Sequence, residues 1–97
     1  MNKEVVSRLK IECEKNPELK AAFKRITKKA LTAEKSMSEA KKLAKDAPDF
    51  PNILGVLTAV AQEKFDNAFR GFIKHCKRRG VFKDEHNDLN FDDFCAV

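Results

Sequence analysis

Apolar positions recur at steps of three and four along most of this chain, and the densest run lies between Pro51 and Gly80. There Leu54, Leu57, Ala61, Phe65, Ala68, Phe72 and Cys76 fall on one helical face, because a helix completes a turn every 3.6 residues. Phe69 and Ile73 widen that strip in the second half. Ile53, Val56 and Val60 form a second strip on a different side, in the first half only. A helix apolar over so much of its circumference needs cover from more than one direction. Its end is well marked: Lys74, Lys77, Arg78 and Arg79 suit the negative pole of the helix dipole, and Gly80 supplies the left-handed residue that stops it. Gly71 costs about 1 kcal/mol relative to alanine in mid-helix. It continues the side of the second strip, which predicts a segment crossing closely there.

Upstream, Leu19, Phe23, Ile26, Ala30, Ala33, Met37, Ala40 and Ala44 alternate steps of four and three, an unbroken heptad pattern. It predicts a helix over about 17–45 whose core positions shrink from phenylalanine to alanine. Asn16 caps it and Pro17 suits its first position, where no amide hydrogen is needed. Ser36 with Glu39 matches a capping box, but no glycine or proline interrupts the run, so continuity is expected. A first helix over about 3–15, capped by Asn2, places Val5, Val6, Leu9 and Cys13 on one face and leaves Ile11 off it. Two prolines between Asp46 and Asn52 break the chain, with Asp49 or Asn52 as the next cap and Phe50 placed to close the turn. So short a link predicts antiparallel neighbours, with the third helix over about 52–79. The expected fold is all-α: one domain over 1–97, a helical bundle built on a long antiparallel hairpin, an N-terminal helix and a short C-terminal segment.

Charge adds a polarity to this picture. Residues 1–45 hold 13 basic and 6 acidic side chains, residues 46–83 hold 7 and 4, and residues 84–97 hold five acids and no base. The acidic segment also carries Phe82, Leu89, Phe91 and Phe94 around it, and disordered segments are poor in aromatics. It is therefore expected to fold back on the body with its phenylalanines as anchors, or to dock on a partner. Asn90 can cap a single turn containing Asp92 and Asp93. Three cysteines at wide spacings, no apolar leader in MNKEVVSRLK and no run long enough for a membrane span point to a reducing cytoplasmic setting.

Candidate chemistry is sparse. An EF-hand reading of Asp84–Cys95 fails, because Leu89 stands at the glycine position and Cys95 at the bidentate glutamate position. His75 and Cys76 are neighbours on a helix and diverge by about 100°. No cysteines or histidines have zinc-site spacing, and no phosphate loop or activated-serine motif is present. No cofactor, metal, catalytic residue or small-molecule substrate is inferred, and the expected class is non-enzymatic.

Two surfaces remain. Ile53, Val56 and Val60, with Phe91 and Phe94 of the tail, are candidates for a partner-binding or homodimer face; the bland alternative is burial under the first helix or the tail. Lys20, Lys24, Lys28, Lys35 and Lys42 form a stripe on the second helix that suits an anionic partner such as a nucleic-acid backbone, or is only a solvated face. The leading expectation is a small regulator, adaptor or inhibitor acting through protein contacts. The alternative is a nucleic-acid-binding accessory protein, with the acidic tail competing for the lysines.

Overall fold

A computed structural model describes residues 2–46 and 52–95. These form four α-helices and one 3₁₀ turn: α1 Asn2–Glu14, α2 Pro17–Asp46, α3 Ile53–Arg78, the turn Asp84–Asp88, and α4 Phe91–Cys95. No strand occurs among the described residues. The all-α hairpin that the heptad pattern predicts is present. α2 runs unbroken through Ser36 and packs antiparallel along α3, with Glu18 beside His75 and Arg79 at one end and Leu43 sharing a groove with Leu57 at the other.

The helix ends follow from local chemistry. Asn16 Oδ1 accepts the backbone N–H groups of Glu18 at 2.9 Å and Leu19 at 3.4 Å, satisfying two donors that the first turn of α2 leaves free. At the end of α3, Val81 N–H donates to Cys76 C=O at 2.9 Å and Gly80 N–H to Lys77 C=O at 3.2 Å. This is a Schellman motif, and Gly80 takes the φ of +73° it requires.

Three local expectations are corrected. Asn2 is not a cap: it lies inside α1, and its side chain donates to Asp93 Oδ2 at 3.3 Å. Asn52 stands at the N-cap of α3 but makes no side-chain capping bond. Among the described residues no segment crosses closely at Gly71, since a Cβ built there would meet nothing within 4 Å. Asp49 and Phe50 lie outside the described residues.

The core fills only part of the hairpin. Val5, Val6, Leu9 and Cys13 of α1 pack on α2, leaving Ile11 exposed as its position predicts. Across α2 from them come Phe65, Phe69, Phe72 and Ile73 of α3, and Leu89 and Phe94 close the cluster. Along α2 the cluster reaches as far as Ala33, and along α3 it begins at Phe65. Farther out, toward residue 46 and residue 53, Ala40 and Ala61 are buried but belong to no such cluster. The molecule is accordingly elongated, 50 × 22 × 20 Å, with a thick end of four helices and an arm of two.

Candidate functional site

The arm is where the surplus apolar strip lies. Ile53 is half-buried, whereas Val56 is 60% and Val60 44% exposed, so neither α1 nor the tail covers the strip. Among the described residues, therefore, nothing buries the two valines. Beside Val60 runs a groove of about 240 Å³ between α2 and α3, floored by Ala40 and Ala61 and walled by Leu43 and Leu57. Leu43 is 51% exposed. Its part in this face escapes the heptad reading because it sits one residue before the heptad position Ala44, itself only half-buried. What could have singled it out is a leucine outside the a/d register among lysines, as with Leu31, which is also exposed. Glu39 stands on the α2 wall of the groove and Lys64 on the α3 wall.

The two tail phenylalanines are placed differently from the valines, and for Phe94 the partner-face expectation is corrected. Phe94 is 0% exposed, with its ring centroid 5.9 Å from Phe23, 6.0 Å from Phe65, 5.8 Å from Phe69 and 6.3 Å from Phe72. Those separations suit edge-to-face and tilted aromatic pairs, so Phe94 is the plug of the thick end and has no surface to offer. Phe91 is half-buried, edge-on to Phe65 at 6.1 Å. Neither comes near Val56, because α4 docks at the far half of the hairpin, on α2 and α1.

α4 is held by polar contacts as well. Asn90 does not cap it with its side chain: Asn90 Oδ1 instead accepts Gln62 Nε2 at 2.9 Å, tying the tail to α3. The Asp93 carboxylate takes over, accepting Asn90 N–H at 2.7 Å. Two acids of the tail contact α1, Glu85 3.6 Å from Arg8 and Asp93 accepting from Asn2. Among the described residues no carboxylate of the tail lies within 4.0 Å of an α2 lysine, so the tail does not compete for that stripe in this arrangement.

Lys20, Lys24, Lys28, Lys35 and Lys42 are all exposed, and among the described residues none lies within 4.0 Å of a carboxylate. The interval from Lys20 to Lys42 spans about 33 Å along α2.

The thiols and imidazoles are occupied elsewhere. Cys13 and Cys76 touch in the core, and the neighbouring thiol together with burial pushes Cys13 far above the ordinary range. Burial and the adjacent Glu34 push Cys95 up to about 12. These two thiols therefore stay protonated near neutral pH, the unreactive form. His75 Nδ1 lies 3.7 Å from Glu18 Oε1. His86 is buried on the 3₁₀ turn, where burial lowers its pKa; its Nδ1 accepts Lys83 N–H at 3.1 Å and its ring meets Phe82 edge-on at 6.0 Å. No group of three His, Cys, Asp or Glu among the described residues is arranged to hold a metal, and no helix among them is long and apolar enough to cross a membrane. In comparisons with known protein families, curated proteins and solved structures, the chain matches none.

Proposed function

We propose that this protein is a small non-enzymatic regulator, adaptor or inhibitor of a reducing cytoplasmic compartment, acting by protein–protein contact through the two-helix arm. The observation that carries this reading is the exposure of Leu43 and Val60 on a groove floored by alanines, with exposed Val56 one helical turn from Val60, at the end of the molecule that its own core does not reach. Contiguous exposed apolar surface rimmed by polar groups marks interaction sites, and helical grooves of this kind accept the apolar face of another helix. A second copy is one such occupant: Glu39 on one wall and Lys64 on the other make the groove self-complementary under a two-fold axis.

The test is Val56→Asp, which puts a charge at an exposed site and leaves the core intact. If the arm is the contact face, partners recovered by the wild-type protein in a pull-down from the source cell are lost with the variant, with or without nuclease. Retention of those partners overturns the reading. Light scattering separates the homodimer case, in which the wild type is dimeric and the variant a folded monomer.

A second reading, a nucleic-acid-binding accessory protein, is supported by the five exposed lysines of α2, none of them near a carboxylate among the described residues. Under it, charge reversal at Lys24 and Lys28 weakens binding and flattens its salt dependence, by about one counterion for each phosphate no longer neutralised. No DNA or RNA binding at low salt eliminates it.

A further inference from the structure

A cleft of about 350 Å³ lies between α1 and the first half of α2. Its base is made by buried Phe23 and Cys13 and half-buried Thr27. The Thr27 hydroxyl is already spent, donating to Phe23 C=O at 2.9 Å. The base is therefore apolar and offers no free hydrogen-bond donor from a side-chain hydroxyl. The rim is cationic: Lys20, Lys24 and Lys28 stand at successive i+4 positions of α2, and Lys10 faces them from α1. Long basic side chains commonly lay their methylene stems along such a wall. Glu14 is the one acid on the lining, and none of the four lysines lies within 4.0 Å of a carboxylate among the described residues.

This arrangement has a cost that folding alone does not recover. Lysines at i and i+4 repel, and α2 repeats the pair twice before Lys10 adds a fourth charge. An anion seated among them would remove that repulsion. An inorganic anion would leave the apolar base unused, while a neutral apolar molecule would leave the lysines unpaired. The cleft volume falls within the range of sites for small organic ligands.

We propose that the α1–α2 cleft binds a single amphipathic anion, with its apolar body against Phe23, Cys13 and Thr27 and its carboxylate or phosphate among Lys10, Lys20, Lys24 and Lys28. The proposal is independent of the arm, which it does not touch, and Val56→Asp leaves it unchanged. Lys10 gives the cleft its second wall, and only the docking of α1 brings it to the α2 stripe.

Calorimetric titration of the full chain tests it, using dodecanoate and dodecyl phosphate below their micelle thresholds, with inorganic phosphate and dodecyltrimethylammonium as controls. One of the two anionic amphiphiles, or both, binds saturably at one site, which also tells carboxylate from phosphate heads. Inorganic phosphate and the cationic amphiphile bind at least about tenfold more weakly. Lys24→Glu with Lys28→Glu, both exposed and so without effect on folding by circular dichroism, weakens binding about tenfold. Lys35→Glu with Lys42→Glu, farther along the same helix, changes it less than about twofold. Amide shifts on binding centre on Thr27 and Cys13. Absence of saturable binding overturns the proposal, as does equal binding of the cationic amphiphile, indifference to the Lys24 and Lys28 reversals, or shifts centred on Val56 and Val60. Binding of a single-stranded oligonucleotide without binding of either amphiphile assigns the lysines to nucleic acid and overturns it too.

Discussion

Asn16, Gly71 and His86 show three ways in which one side chain sets local stability. Asn16 holds two backbone donors of α2, so Asn16→Ala is expected to destabilise the protein by about 1 kcal/mol in urea unfolding, with an unchanged m-value. Gly71 has the opposite sign. It lies in mid-helix with open space where a Cβ would go, so Gly71→Ala should stabilise by about 1 kcal/mol, through helix propensity and a less flexible unfolded chain. Destabilisation by that variant would mean that something closes over this side of α3. His86 governs acid sensitivity. Its buried Nδ1 accepts a hydrogen bond and cannot do so once protonated, and burial is the main cause of its lowered pKa. Lys83 and Arg8 lower it further, whereas Glu85 raises it. The unfolded chain therefore takes up the proton first. The stability supplied by neutral His86 is complete above the unfolded value of about 6.5 and declines as pH falls below it toward the lowered folded value. Unfolding measured between pH 8 and pH 5 should show this decline (about one proton's worth at most), and His86→Gln should flatten it.

At the scale of elements, α4 is too short to be stable alone and owes its place to Phe94. Removing that ring leaves a cavity among Phe23, Phe65, Phe69 and Phe72, and Phe94→Ala should cost about 3–5 kcal/mol. The same variant should free residues 84–95 to proteolysis while α2 and α3 remain helical. A loss below about 1 kcal/mol would mean that the tail is not part of the core. These elements also show which features a sequence exposes. The heptad of α2, the Val5–Cys13 face of α1 and the Gly80 stop are legible because each depends on periodicity or on a local backbone rule. Asn2 and Asn90 are not: as sequence both look like caps, but each is claimed by a residue far away, Asp93 for Asn2 and Gln62 for Asn90. Periodicity likewise tells that Val56 lies off the main strip and is silent on whether anything covers it. That depends on where α1 docks, and α1 docks at the other end of α2, where the larger residues Leu19, Phe23 and Ile26 make a wider core.

For the whole molecule, the gradient from phenylalanine to alanine along α2 becomes a gradient of stability. The thick end buries Phe65, Phe94, Leu9 and Leu19 completely, and opening any helix there exposes several large side chains at once. In the arm the buried residues of the hairpin are alanines, Ala40 and Ala61, each contributing little to burial, while Leu43, Val56 and Val60 already face solvent. Local opening of the arm therefore sacrifices little apolar packing and should occur well below the free energy of global unfolding. Hydrogen exchange makes this measurable. Amides of 35–46 and 56–62 should exchange much faster than those of 19–30 and 65–76. If a second copy covers the arm, raising the concentration slows exchange at 56–62 and leaves 65–76 as it was, and Val56→Asp abolishes that slowing. Uniform protection along α3 at every concentration would contradict the gradient. A gradient that concentration leaves untouched would dismiss the second copy and keep the arm open for a different protein.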